Sequence, residues 1–170
     1  MRIASYIQDS IVDGPGLRFT LFTQGCPHRC PGCHNPQTHD PGGGSEMSVG
    51  EIVGLILKNP LTDGVTFSGG EPFAQAEDCA AIARAVRAKG LDVWAYSGYT
   101  FEQLLAGTDG MRELLSLCDV LVDGPFVLAE RSLSLRWRGS ANQRVIDVPR
   151  SLAEGRAVLF ESQGDKDAGV

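Results

Sequence analysis

Leu17-Arg-Phe-Thr-Leu-Phe-Thr23 runs through Gln24 into Gly25-Cys-Pro-His-Arg-Cys-Pro-Gly-Cys-His34. The first segment is rich in aromatic and β-favouring residues and predicts a strand. The second gives the spacing C-x3-C-x2-C, and three thiols this close suit a soft metal centre. A closed zinc or iron–sulfur site uses four protein ligands, whereas a cubane cluster held by three leaves one iron open to a small molecule. An open iron is a catalytic arrangement, so this stretch indicates an enzyme.

Other uses of these cysteines stay open on spacing alone. Cys30-Pro-Gly-Cys33-His34 also fits C-x-x-C-H, the attachment pattern of a c-type haem, although Cys26 would then have no role. Zinc is the stronger alternative, with His28, His34 or His39 as a fourth ligand beside the three thiolates. A disulfide framework is disfavoured because five cysteines is an odd number and the N-terminus shows no apolar stretch of signal-peptide length.

The composition indicates a globular protein with one domain. The chain has 170 residues, of which 42% are hydrophobic and 21% are charged, and this length is enough for a sizeable core. Its formal net charge of −6 disfavours general binding to nucleic acid, and no apolar run approaches membrane-spanning length. We therefore expect no nucleic-acid and no membrane partner, one domain over residues 1–160, a flexible tail over 161–170, and a cytoplasmic location.

Predicted strands alternate with predicted helices along the chain. Ser48 with Glu51, and Thr100 with Gln103, are capping boxes that predict the starts of two helices. The alternation implies β-α-β units, a parallel sheet and the α/β fold class. The predicted strands are 17–23, 64–67, 91–96, 119–123, 143–148 and 156–160, and the predicted helices begin at Ser48, Glu77, Thr100 and Asp109.

Four unusual segments follow the carboxyl ends of predicted strands. They are the cysteine loop, Gly69-Gly70-Glu71, the turn that begins at Ser97, and Asp123 with the glycine after it. In parallel α/β folds this edge of the sheet is where ligands collect, because the carboxyl ends of the strands meet there. The sequence therefore predicts one site at this edge, which favours a catalytic centre over a purely structural zinc.

The motifs at this edge resemble those of a known superfamily. C-x3-C-x2-C after one predicted strand, with Gly69-Gly-Glu-Pro72 after the next, resembles the radical S-adenosylmethionine enzymes. Ile11-Val-Asp-Gly-Pro-Gly-Leu-Arg-Phe19 and Cys33-His-Asn-Pro36 are similar to segments of the activases of glycyl-radical enzymes. The resemblance implies an α/β fold in which parallel β/α units form a short, incomplete TIM-like barrel.

Three further segments indicate which group of these activases the chain resembles. Gly32 stands immediately before Cys33, where many members of the superfamily carry an aromatic residue. Leu121-Val-Asp-Gly124 and Leu135-Arg-Trp-Arg-Gly-Ser-Ala-Asn-Gln143 are similar to the activating proteins of anaerobic (class III) ribonucleoside-triphosphate reductase. The resemblance covers most of residues 6–148.

The resemblance implies a [4Fe-4S] cluster and S-adenosylmethionine as cofactors, and no general base or nucleophile. The Glu71 carboxylate would pair with the ammonium of the methionine moiety. Ser97 and Asp123 would lie near the ribose and sulfonium, and Asn142 would line the pocket. Taken from the residues alone, a solvated glutamate and ordinary turn residues are the alternatives at these positions. The expected cluster ligands are Cys26, Cys30 and Cys33, and the expected cofactor-binding residues are Gly69, Gly70, Glu71, Ser97, Asp123 and Asn142.

The implied activity is abstraction of a hydrogen atom from a glycine Cα on the glycyl-radical subunit of the anaerobic reductase. A flavodoxin- or ferredoxin-type protein would donate the electron, and Asp13-Gly-Pro-Gly16 would face the partner's glycine-bearing loop. One alternative is the same chemistry on another glycyl-radical enzyme, such as pyruvate formate-lyase. The alternative of another class is a non-catalytic, zinc-binding interaction module.

Overall fold

The computed structural model describes residues 1–161, so nearly all of the predicted tail lies outside the described residues. A single sheet with helices packed on one face makes up this part of the chain. The strands are β1 (Arg2–Ser10), β2 (Arg18–Thr23), β3 (Ser45–Glu46), β4 (Gly64–Gly69), β5 (Asp92–Tyr96), β6 (Val120–Asp123) and β7 (Arg144–Asp147). The α-helices are α1 (Val49–Ile56), α2 (Ala76–Arg87), α3 (Phe101–Leu105), α4 (Asp109–Leu117) and α5 (Val148–Glu154).

The sheet has the strand order β3-β1-β2-β4-β5-β6-β7. β2, β4, β5 and β6 pair in parallel, whereas β1, β3 and β7 pair antiparallel with their neighbours. The predicted α/β class and its parallel units are therefore confirmed for the central strands. The sheet is open across residues 1–161, with β3 at one edge and β7 at the other, and its curvature into a partial barrel stays a prediction.

The local helix signals act as predicted. The Ser48 hydroxyl accepts the Glu51 N–H at 3.2 Å, and the Glu51 carboxylate accepts the Ser48 N–H at 2.8 Å. Thr100 and Gln103 form the same reciprocal pair at the start of α3. Each box satisfies N–H groups that the first helical turn leaves without partners, which is why it marks a helix start in the sequence.

Two predictions about local structure differ from the observed fold, and three observed elements were not predicted. α4 is capped by Thr108, whose hydroxyl accepts the Met111 N–H, and Asp109 is its first helical residue. The predicted strand at 156–160 is wrong, because this segment contributes only an isolated bridge between Leu159 and Ile146. β1, β3 and α5 were not predicted. Most of β1 is exposed on the surface, so its side chains show no alternation of apolar and polar residues.

The two faces of the sheet bury different side chains, because successive residues of a strand point to opposite sides. One face packs against the helices and is apolar. The opposite, inner face carries more polar side chains and lies beside the candidate site. The helix-facing side chains include Phe19, Leu21, Val65, Phe67, Val93, Ala95 and Leu121, and the inner side chains include Arg18, Thr20, Phe22, Thr66, Ser68, Trp94 and Tyr96.

Arg18 closes the amino-terminal end of this inner face. Its side chain is fully buried, with the guanidinium 5.4 Å from the ring centre of Trp94. It donates to Thr66 Oγ1 at 2.7 Å and to Asp92 Oδ1 at 2.6 Å. A buried charge is costly unless it is paired and hydrogen-bonded, and these partners meet that requirement. The inner face is therefore filled at this end and opens only at its carboxyl end.

Candidate functional site

A cavity of about 610 Å³ lies at the carboxyl ends of the parallel strands. The segments that follow β2, β4, β5 and β6 all reach it, which confirms that the unusual sequences lie on one edge of the sheet. Six of the predicted site residues line the cavity. They are Cys26, Cys30, Cys33, Gly69, Gly70 and Ser97.

The three loop cysteines are free thiols and are partly buried. The Cys33 N–H donates to the Cys30 carbonyl at 3.1 Å, and the Asn35 N–H donates to Cys33 Sγ at 3.4 Å. Gly32 has φ of +73°, and a Cβ there would lie 2.8 Å from Cδ1 of Leu128. Glycine suits the tight turn that spaces the second and third thiols, because other residues rarely adopt this positive φ, while the flexible Leu128 side chain could move away from a Cβ.

Backbone hydrogen bonds attach the cysteine loop to the sheet. The Gly25 N–H donates to the Thr38 carbonyl at 2.8 Å, and the Cys26 N–H donates to the His39 carbonyl at 3.2 Å. The Gly25 carbonyl in turn accepts the Glu71 N–H at 2.9 Å. The loop is thus held on one side by the segment that follows it and on the other by the end of β4.

The environment of Cys26 favours its neutral form. Burial raises the pKa of this thiol, backbone N–H groups of His28 and Arg29 oppose the rise, and the nearby Glu71 charge adds to it. A metal or cluster binds the thiolate, so loading of this site would release a proton.

The residues around the cavity fit an iron–sulfur cluster. Three thiols share one cavity wall, and the buried Nε2 of His39, another lining residue, has no hydrogen-bond partner among the described residues. A buried polar atom without a partner is rare and is often explained by a group that binds next to it. Within residues 1–161 no three His, Cys, Asp or Glu side chains converge closely enough to hold a single metal ion. A cubane cluster spreads its thiolate ligands over different irons and needs no such convergence.

Gly69 and Gly70 bring the backbone of β4 to the cavity wall. Gly69 has φ of +91°, and a Cβ there would lie 2.6 Å from Cα of Phe22. The Gly70 N–H donates to the Thr23 carbonyl at 2.9 Å. Because neither residue carries a side chain, the main chain itself borders the cavity, and cofactor binding by Gly69 and Gly70 stays a prediction.

Glu71 lies beneath the cavity wall and is completely buried. Its Oε1 accepts the Phe73 N–H and the Ser97 hydroxyl, both at 3.0 Å. Its Oε2 accepts the Gly98 N–H at 2.9 Å and lies 2.9 Å from Nε2 of His28. These groups match the roughly four acceptor positions of a carboxylate. Direct pairing of Glu71 with a cofactor ammonium stays a prediction, and protein donors fill its acceptor positions in this structure.

Asp123 and Asn142 do not line the cavity. Asp123 is buried, accepts the Phe101 N–H at 2.7 Å and pairs with the Arg144 guanidinium. Asn142 is exposed and donates to the Pro125 carbonyl at 2.8 Å, while the next residue, Gln143, is the one on the cavity wall. Cofactor binding by Asp123 and Asn142 therefore also stays a prediction.

Several lining residues were not predicted. Tyr96 reaches the cavity from the inner face of β5, and burial raises the pKa of its hydroxyl, which keeps it protonated. Asp13, which the resemblance places opposite the partner's loop, also lines this cavity, and so does Trp137. The alternation of Trp94 and Tyr96 along β5 was the sequence signal for Tyr96, because residues two apart on a strand share a face.

Comparison with known proteins gives two consistent results. The family model for the 4Fe-4S single cluster domain matches residues 12–146, which include all three loop cysteines. A Salmonella typhi protein named anaerobic ribonucleoside-triphosphate reductase-activating protein is 37% identical over 153 residues, spanning 85% of this chain and 97% of the relative. The chain belongs to this family of activating proteins.

Other family members show the same relationship. The activating protein of Escherichia coli strain K12 is 37% identical over 155 residues, with 85% of this chain and 97% of the relative covered. That of Enterobacteria phage T4 is 33% identical over 142 residues, covering 79% of this chain and 86% of the relative. In this member of the family, no helix within residues 1–161 is long and apolar enough to cross a membrane.

Proposed function

We propose that the chain is a radical S-adenosylmethionine activase that generates a glycyl radical on anaerobic ribonucleoside-triphosphate reductase. Family membership supports the partner, since the relatives are named for activation of that reductase. The 4Fe-4S family model supports the cluster. The radical mechanism and S-adenosylmethionine are the parts that the proposal adds.

One observation carries the proposal. The three thiols, the glycine backbone at the end of β4 and Ser97 all face a single cavity at the carboxyl edge of the sheet. Cavities of roughly 300–1,000 Å³ hold small molecules, and about 610 Å³ leaves room for a cluster with a cofactor against it. Three protein thiolates would leave one iron of a cubane open towards this space.

The protein's own residues bind, orient and shield the reacting groups. Cys26, Cys30 and Cys33 would hold the cluster as thiolates, with the Asn35 N–H directed at the Cys33 sulfur. A hydrogen bond to a ligating sulfur stabilises its negative charge and so tunes the reduction potential. A bound, reduced cluster would provide the electron for reductive cleavage of S-adenosylmethionine to methionine and a 5′-deoxyadenosyl radical, the species proposed to abstract the glycine hydrogen atom.

The end of β4 would receive the methionine moiety. Gly69 and Gly70 allow the methionine moiety to approach the main chain. The buried Glu71 carboxylate fixes the position of this segment through its hydrogen bonds. Ser97 would border the nucleoside end of the cofactor, within the short partial barrel that the superfamily resemblance implies. Asp123 and Asn142 lie outside the cavity lining, so they would contact the cofactor only after leaving their present partners. No side chain is required as a general base, because the cofactor radical removes a hydrogen atom rather than a proton.

The mouth of the cavity would receive the partner's glycine-bearing loop. Asp13 and Leu133 both line the cavity, and the neighbouring Ile11, Val12 and Leu133 side chains are largely exposed. Exposed apolar residues around a cavity commonly mark a protein contact. A flavodoxin or ferredoxin would supply the electron, and the cytoplasm, where thiols stay reduced, is the compartment that suits this chemistry.

An anaerobic activation assay tests the proposal. The protein is reconstituted with iron and sulfide, reduced, and mixed with S-adenosylmethionine and either the anaerobic reductase or pyruvate formate-lyase. We expect 5′-deoxyadenosine by chromatography and a glycyl-radical doublet by electron paramagnetic resonance on the reductase. A doublet on pyruvate formate-lyase alone would move the partner assignment to that enzyme. Tightly bound zinc, with no cluster and no cofactor cleavage, would overturn the proposal in favour of an interaction module.

A further inference from the structure

His28 connects the cysteine loop to the end of a strand that lies far away in sequence. It stands between Cys26 and Cys30, and its Nε2 lies 2.9 Å from Oε2 of Glu71. The two residues are 43 positions apart, and their side chains are 18% and 0% exposed. The Glu71 carboxylate also accepts N–H groups of Phe73 and Gly98, and this hydrogen-bond network assigns Nε2 of His28 as a further donor.

The His28 ring occupies a closely fitting slot. Its centroid lies 4.4 Å from that of Tyr99, with the two rings edge to face at 72°. Gly98 forms the other wall, and a Cβ added there would collide with the imidazole. The ring is therefore held by packing as well as by its hydrogen bond, which favours a single orientation.

Glu71 extends this connection to a third segment. The same carboxylate accepts the Ser97 hydroxyl and the Gly98 N–H at the end of β5. It thereby joins the cysteine loop, the Gly69-Gly70 backbone and the Ser97 turn, which are the three parts of the cavity wall proposed to hold the cluster and cofactor. The connection depends on side chains and adds to the backbone bond between Glu71 and Gly25.

We infer that His28 and Glu71 are a positioning pair that holds the cysteine loop in its cluster-binding conformation through contacts within the protein. The statement that this conformation binds a cluster rests on the proposed function. It gives Glu71 a role through His28, at the base of the wall, instead of direct contact with the cofactor. Loss of the pair loosens the segment that carries Cys26 and Cys30 and separates it from the Ser97 turn.

Amide hydrogen exchange of the metal-free protein tests this inference without any cluster chemistry. His28→Leu removes the donor, His28→Gln keeps a side-chain N–H at a similar reach, and His34→Gln is the matched control in the same loop. We expect exchange within residues 26–34 to become about tenfold faster in His28→Leu, as loss of a hydrogen bond to a charged group predicts. We expect His28→Gln to restore most of the protection.

Exchange in α2 serves as the internal reference, because a general loss of stability would accelerate it as well. Equal protection of residues 26–34 in His28→Leu and the wild type would overturn the inference. So would equal acceleration in the loop and α2, or an effect of His34→Gln as large as that of His28→Leu. Failure of the activation assay with the exchange result intact would count against the proposed function alone.

A spectroscopic measurement on the reconstituted protein provides a second test. The reduced cluster's electron paramagnetic resonance signal is recorded with and without S-adenosylmethionine. We expect His28→Leu to weaken the cofactor-induced change in that signal at equal iron content, and His28→Gln to retain it. An unchanged response in His28→Leu would show that the pair does not position the loop relative to the cofactor site.

Discussion

Asp123 and Arg144 form a two-point ion pair that joins the ends of β6 and β7. The guanidinium Nε lies 3.0 Å from Oδ1 and Nη2 lies 2.5 Å from Oδ2. The same carboxylate accepts the Phe101 N–H at the start of α3. Because the Asp123 side chain is 1% exposed, its charge depends on these protein partners in place of water. The pair therefore supports the last parallel strand next to the candidate site.

Replacement of Asp123 by asparagine should destabilise the fold. The substitution removes the charge that Arg144 and the Phe101 N–H require, and we expect the free energy of unfolding to fall by about 2 kcal/mol. Urea unfolding followed by circular dichroism measures this loss. Glu102→Gln is the matched control, because Glu102 also pairs with Arg144 but has a side chain that is 57% exposed. An exposed pair should contribute less than about 1 kcal/mol, so equal losses in the two variants would contradict this account.

The Glu102–Arg144 pair also predicts a dependence on pH. The hydrogen bond that Glu102 accepts from Arg144 lowers the pKa of Glu102 from an ordinary value of 4.5 to about 2. A carboxylate whose pKa is depressed in the folded state stabilises the fold above its unfolded pKa, and this contribution disappears as the pH falls towards about 2. The stability difference between wild type and Glu102→Gln should therefore shrink between pH 5 and pH 2, as acid unfolding at several pH values would show. Since Glu102 is largely exposed, added salt should reduce the difference at neutral pH.

Gly98→Ala should disturb the slot that holds the His28 ring. The new methyl group would meet the imidazole at a distance that real side chains do not reach, and overpacking of this kind costs about 1–3 kcal/mol. Gly54→Ala is the comparison, because nothing lies within 4 Å of a Cβ at that exposed position in α1. There, alanine should stabilise the protein by about 0.5–1 kcal/mol through its higher helix propensity. Thermal or urea unfolding should show opposite signs for the two substitutions.

Substitution of single cysteines should distinguish the three loop cysteines, which are proposed to bind the cluster, from Cys79 in the core. Alanine at Cys26, Cys30 or Cys33 should abolish stable iron binding after reconstitution, since each thiolate would bind a different iron. Cys79→Ala should retain the full iron content and cost about 1 kcal/mol, because Cys79 is packed in α2 against the sheet. Iron analysis and visible absorption measure the first effect, and urea unfolding measures the second. Full iron content in any of the three loop variants would remove that cysteine from the ligand set.

The sequence predicted those parts of the fold that depend on neighbouring residues. Ser48 with Glu51, and Thr100 with Gln103, are three positions apart and mark helix starts without reference to the rest of the chain. The central parallel strands were recognisable because they are short segments rich in aromatic and β-branched residues, with glycines close to their ends. β1 was missed because it depends on pairing with β2, and most of its own side chains are exposed.

The candidate site likewise combines features that the sequence predicted with features that only the structure revealed. The cysteine spacing indicated a cluster, and Gly69-Gly70 was one of the motifs that indicated a site at the carboxyl edge of the sheet, because cysteine and glycine content are properties of the sequence itself. That Glu71 is buried and bonded to His28 and Ser97 could not be predicted, since these partners are 43 and 26 residues away. Amino-acid sequence determined which chemical groups are present at the carboxyl edge of the sheet. Only the tertiary structure decided which of them meet, because a carboxylate's role depends on the donors that packing brings to it and on its exclusion from water.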